Sequence, residues 1–206
     1  MRRKSSYLIV TTFLLASFAA AQEVERFNFA LSGAGVFSKT STSSDGSLTL
    51  KPTTSGAQIG SFRWRLNHLH GLEVNIGHTN NSQVFALPPN SFRVGTGITE
   101  LSGDYVLSPM HRDRWEPFLF GGAGLLRFNP GSTYINGLLA SFPVKQQTAL
   151  GFLYGGGTDY RLWKFVSLRL QYRGVIYKTP NFGQPNLATH VKGHLAEPAF
   201  GIVIKF

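Results

Sequence analysis

The chain has 206 residues, a formal net charge of +10 and no cysteine, so disulfide cross-links and lipid attachment at a cysteine are excluded. Only 15% of its residues are charged, and no Lys/Arg cluster follows the first few positions, which argues against a soluble nucleic-acid binder. Anionic lipid head groups or lipopolysaccharide suit such a basic, sparsely charged chain better.

The opening segment, MRRKSSYLIVTTFLLASFAAAQE, carries Arg2, Arg3 and Lys4 ahead of an apolar run from Tyr7 to Phe18. Ala19-Ala20-Ala21 then fits a small-residue cleavage site, which predicts a secretory signal peptide over 1–21. The expected mature domain is 22–206. Without Arg2, Arg3 and Lys4, 17 basic and 10 acidic residues remain, a net charge of +7.

Beyond that point no stretch repeats apolar residues at helical spacing, and no run reaches the length of a membrane-spanning helix. The chain instead reads as about ten residues of strand-like sequence, then a break, eight times over. The predicted strands are 25–37, 56–66, 71–79, 96–107, 116–127, 148–161, 165–177 and 196–206. Their connections alternate: 38–55, 80–95, 128–147 and 178–195 are long, whereas 67–70, 108–115 and 162–164 are short. Eight strands with long loops at one end and tight turns at the other predict an all-β fold: a closed eight-stranded antiparallel up-and-down transmembrane β-barrel.

Side-chain parity agrees in three segments. In 165–177, Val166, Leu168, Leu170, Tyr172 and Ile176 share one face, opposite Ser167, Arg169, Gln171 and Arg173. In 96–107, Thr99, Leu101, Tyr105 and Leu107 oppose Glu100, Ser102 and Asp104; in 148–161, Leu150, Phe152, Tyr154 and Tyr160 oppose Gly155, Gly157, Asp159 and Arg161. The segments 25–37, 56–66 and 116–127 mix their faces. Rings gather at segment ends (Phe27, Phe29, Phe62, Trp64, Tyr105, Trp115, Tyr160, Trp163, Phe165, Tyr177 and Phe206), where aromatic girdles of a membrane barrel are expected.

EPFLFGGAGL (116–125), GGGTDYRLWKFVSLRLQYR (155–173) and the closing AFGIVIKF make the chain resemble the OmpA/OmpX-type eight-stranded outer-membrane barrels over nearly all of 22–206. The resemblance implies a bacterial outer-membrane location and a C-terminal signal read by the barrel assembly machinery, filled here by Gly201, Ile204 and Phe206. The last strand would pair with the first, leaving no free edge.

Charges on the polar faces form the expected lumen network: Arg26, Glu73, Glu100, Asp104, Glu116, Asp159, Arg161, Arg169, Arg173 and Lys205. A salt-bridged plug is favoured over an ion path, because eight strands enclose only enough width for side chains. The glycine clusters SGAGVF, GGAG and GGG lack the following helix that a phosphate-binding loop needs, and are read as sites of bending and close backbone approach. The histidines, including the loop pair His190 and His194, are not expected to hold a metal. No cofactor and no nucleic-acid partner are expected. Some small barrels modify lipid A, but the His-x-Ser of the deacylases is absent, and His78, Ser82 and Glu100 would have to be forced into a triad. The expected role is therefore non-enzymatic, structural or surface-interacting (membrane integrity, adhesion or lipopolysaccharide contact), in a monomer with an unidentified extracellular ligand. Lys39, Lys51, Arg93, Lys145, Lys178 and Lys192 are the candidates for lipopolysaccharide phosphates. The alternatives are a lipid A-modifying barrel enzyme, a narrow non-specific pore and a soluble calyx whose inside is apolar.

Overall fold

The computed structural model describes residues 26–110 and 114–206; the predicted signal segment and its cleavage site lie outside the described residues. Eight long strands carry the fold: β1 Phe27–Ser38, β2 Ser55–Arg65, β3 His70–Leu87, β4 Asn90–Leu107, β5 Trp115–Ile135, β6 Gln147–Arg161, β7 Val166–Lys178 and β8 Lys192–Lys205. Each pairs antiparallel with its sequence neighbours, and β8 returns to β1 over Asn28↔Lys205 to Ser38↔Leu195. The main-chain N–H of Phe206 donates to the carbonyl of Phe27 at 2.9 Å, and that of Phe27 donates back at 2.9 Å. The sheet is a closed barrel, so its eight long strands leave no edge along the wall.

The stagger of the barrel follows from its registers. Stepping through paired residues from Phe29 leads to Phe62, Val74, Gly103, Ala123, Phe152, Ile176 and His194, whose carbonyl accepts the N–H of Lys39. One circuit therefore climbs from position 29 of β1 to position 39, one residue past its end. Ten residues at about 3.3 Å, set against eight strand spacings of about 4.8 Å, give a tilt of about 41°. Each residue then rises about 2.5 Å along the axis, so ten residues cover the roughly 25 Å of an outer-membrane apolar band. Every residue on that spiral up to Ile176 is apolar.

Glycine makes part of this closure possible. Gly201 of β8 faces Ser32 of β1, and a Cβ there would stand 2.8 Å from the Ser32 Cα and 2.5 Å from the Leu31 carbonyl oxygen. The seam closes at that distance only without a side chain.

Two expectations are corrected. Residues 80–95 are not a loop: β3 and β4 stay in continuous register from Asn80↔Gly97 to Leu87↔Asn90 and turn at Pro88-Pro89. The polar run Asn80, Asn81, Ser82, Gln83 hid the strand, because its outward face no longer needs apolar residues beyond the lipid-height belt. Likewise β5 runs on to Ile135, past an irregularity at Val94/Thr96 that shifts its register. The other three long connections are present but shorter than expected, at 39–54, 136–146 and 179–191. Residues 39–54 form a ribbon whose Thr49–Pro52 stretch pairs with Gln83–Ala86 of β3, Leu138–Leu139 folds back on Tyr134 and Ile135, and a 3-10 turn at Pro185–Leu187 lies between β7 and β8.

The second correction concerns the interior, which is polar only toward the turn end. Toward the loop end it is an apolar core of Val36, Leu50, Phe85, Val94, Phe128, Val175, Tyr177 and Leu195, into which the loop residues Leu48, Phe182 and Leu187 are packed. Tyr177, expected in a girdle, stacks there on Phe128 at 5.7 Å. Outside the loop-end walls lies water, so apolar side chains turn inward as in any soluble protein.

Candidate functional site

Inward-facing positions of the strands bring twelve ionisable side chains together in three groups. Arg63 Nε donates to Glu73 Oε2 at 2.7 Å; Arg169 reaches the same oxygen at 3.1 Å and clasps Asp159 through two hydrogen bonds of 2.8 and 2.9 Å. Both guanidiniums lie over the Phe118 ring, at 4.2 and 4.9 Å from its centroid. Nearer the turns, Glu116 accepts from Arg65 (2.5 Å), Lys205 (2.6 Å) and Arg161 (3.0 Å). Nearer the loops, Arg173 bridges Glu100 and Glu197, and Asn75 donates to Asp104 at 2.7 Å. Six cations thus face six carboxylates. Beside Arg173 and Glu197 is a cavity of about 20 Å³, room for roughly one water molecule.

The outer face is the reverse. Leu31, Ile76, Leu101, Leu125, Phe152, Leu170, Phe200 and Ile202 are all at least half exposed. A soluble protein does not present a continuous apolar belt of this size. At its lower border Phe27 stacks on Phe62 at 5.7 Å and approaches Phe206 at 6.3 Å, while Trp115 packs on Tyr160 at 4.8 Å. All six strand carboxylates (Glu73, Glu100, Asp104, Glu116, Asp159 and Glu197) are buried in the lumen, whereas Arg93, Arg127, Lys178 and Lys192, at the loop ends of their strands, are exposed.

Structural matches over most of the chain show the same fold in known outer-membrane barrels. Neisserial surface protein A matches with a TM-score of 0.57 and 17% identity, over 87% of this chain and 97% of its own. OprG from Pseudomonas aeruginosa matches with a TM-score of 0.57 and 15% identity, over 88% and 96%. The fold is that of the OmpA/OmpX-type outer-membrane barrels. Ail, the attachment invasion locus protein of Yersinia pestis, is also similar, with a TM-score of 0.51 and 12% identity over 89% of this chain and 100% of its own. No protein-family model and no curated protein sequence matches the chain.

Within this OmpA/OmpX-type barrel, nine of the ten residues expected in the lumen lie there; Arg161 sits at its rim with a side chain 41% exposed. Arg26 does not. It precedes β1, is exposed, and contributes only its carbonyl, to the Arg65 N–H at 2.8 Å. Arg63, Arg65 and Glu197 complete the network; 56–66 has no clear parity, and in 196–206 the alternation becomes legible only from Phe200, so sequence does not sort these three. Of the C-terminal residues, Gly201 points inward at the seam, Ile204 faces outward and Phe206 joins the aromatic border.

The six candidate contact cations, Lys39, Lys51, Arg93, Lys145, Lys178 and Lys192, are all exposed at the loop end. Arg93 hydrogen-bonds Ser82 Oγ at 3.1 Å and lies over Tyr134. Lys178 and Lys192 are direct cross-strand partners. His194, expected in a loop, is on β8, facing outward. The forced triad is not assembled: His78 is exposed on the wall, next to Thr99 Oγ1 at 3.3 Å, while Glu100 is buried inside on Arg173. No group of His, Asp or Glu among the described residues could hold a metal ion. Between the loop tips, a cleft of about 510 Å³ is lined by Ser43, Asp45, Ser47, Leu87, Asn186, Thr189 and His190.

Proposed function

We propose that this chain is a monomeric integral outer-membrane barrel with a structural or surface-interaction role, exercised through its loop end rather than through catalysis or conduction. One observation carries the reading: the sorting of charge, with an apolar wall outside and the strand carboxylates buried inside, five of the six in ion pairs. Tight turns would face the periplasm and the long loops the exterior. Adhesion would then use the β3–β4 hairpin and the three loops, and lipopolysaccharide contact the basic rim of the outer wall.

Two features count against a pore. Arginine–carboxylate bridges cross the lumen, and the apolar core around Phe85, Phe128 and Phe182 stoppers its loop end. A lipid A-modifying role has less support still, because His78 and Glu100 lie on opposite faces of the wall.

Fractionation tests the location. The protein is expected in the detergent-requiring outer-membrane fraction, migrating faster in gels before boiling than after. Recovery as a soluble periplasmic protein would overturn the proposal. Unaltered lipid A mass spectra in a deletion strain, and no conductance across planar bilayers, are the expected results for the role.

A further inference from the structure

The loop-end rim of β7, β8 and the residue after β1 concentrates positive charge on the outer wall. Lys178 and Lys192 stand directly opposite each other across the β7–β8 ladder. Like charges in that position repel and destabilise the pair. Lys39 joins them: its N–H bonds the His194 carbonyl, and His194 lies two residues along β8 from Lys192, on the same face. Among the described residues, none of the three lysines has an acidic partner within ion-pair distance.

Below the lysines is a prepared polar platform. Tyr154 of β6 lies across Gly174 of β7 and hydrogen-bonds His194 Nε2 at 2.9 Å on the next strand. A Cβ on Gly174 would stand 2.8 Å from the Tyr154 hydroxyl, so only glycine leaves the ring this path. On the tilt derived above, the three lysines lie within about 3 Å of one another in height, just above Ile176 and Phe152.

We infer that Lys39, Lys178 and Lys192, above the Tyr154–His194 pair, form a docking site for the phosphorylated sugar headgroup of lipopolysaccharide. The inference rests on the outer-membrane reading and narrows its contact surface to one arc of the wall. Three uncompensated cations match a headgroup with more than one phosphate better than a single phosphodiester, and the tyrosine–imidazole pair offers polar groups to sugar hydroxyls. The acyl chains would lie down the wall over Phe152, Ile176 and Phe200.

The test uses the mature full chain refolded in detergent and titrated with bisphosphorylated lipid A, read by native mass spectrometry. K178Q/K192Q is expected to bind at least tenfold more weakly, Y154F about threefold more weakly, and K51Q/K145Q, which removes the same charge elsewhere, within twofold of wild type. Without lipid, K178Q/K192Q is expected to melt no lower than wild type, because a repulsive pair is gone; heat-shifted gel mobility reports separately that each variant forms a barrel. Undiminished binding by K178Q/K192Q, or equal loss in K51Q/K145Q, would overturn the site. Equal affinity for phosphatidylglycerol would overturn the choice of lipopolysaccharide.

Discussion

Replacing Arg169 with methionine removes the guanidinium from the centre of the lumen while keeping most of the side-chain volume. Three hydrogen bonds disappear, two to Asp159 and one to Glu73. Asp159 keeps only Arg63, at 4.0 Å, and a buried negative charge is left without compensation. Breaking such a pair from one side costs about 3–5 kcal/mol. With a urea slope of about 2–3 kcal/mol/M, the unfolding midpoint in lipid vesicles should fall by about 1–2.5 M. Adding Asp159→Asn restores the charge balance and leaves Glu73 with Arg63, so R169M/D159N should recover to within about 1–2 kcal/mol of wild type. The two changes must therefore couple strongly in a double-mutant cycle. If R169M unfolds within about 1 kcal/mol of wild type, water in the lumen is solvating the carboxylates and the bridged lattice contributes little.

Three further outcomes follow from the same geometry. Leu170→Arg, in the middle of the belt on β7, should destabilise the barrel in vesicles by about 2–4 kcal/mol by vesicle urea titration, whereas Lys178→Arg on the same face at the rim should be near neutral. Gly174→Ala should push the Tyr154 ring off His194, seen as a change in the His194 ring signals by NMR with a stability loss of about 1 kcal/mol, the scale of one hydrogen bond. In the first loop, hydrogen bonds from Ser43 and Ser47 hold the Asp45 carboxyl at about 2, below its ordinary 3.8. That ordering is present above pH 3.8 and lost as pH falls through about 2, so loop NMR shifts should stay constant to about pH 3, and Asp45→Asn should remove the acid transition.

Much of the wall was legible in the sequence because lipid outside and charge inside impose a strict two-residue period. Leu168, Leu170 and Tyr172 against Arg169, Gln171 and Arg173 can be sorted by eye. β2 and β5 were harder: Gly60 and Gly121 occupy outward positions, while Phe118 and Phe120 point inward, so the alternation is blurred. The β3–β4 extension is not legible in the sequence, because backbone pairing continues where lipid no longer dictates side chains. Packing of Phe182 and Leu187 into the loop-end core was also unreadable, since it depends on two loops folding over one opening. The Lys178–Lys192 contact required the register itself; parity places both outward, but nothing local says that they are neighbours.

The central claim is that the wall between the Trp115 border and the Lys178–Lys192 rim touches acyl chains. Because the chain contains no cysteine, single cysteines can be placed at Ile76, Leu101 and Phe200 outside, and at Ser102 and Gln171 inside, and labelled with a fluorophore. In bilayers carrying a quencher on the acyl chains, the three outward labels should be strongly quenched and the two inward ones spared. Equal quenching at both sets, or quenching confined to Ser102 and Gln171, would contradict the account.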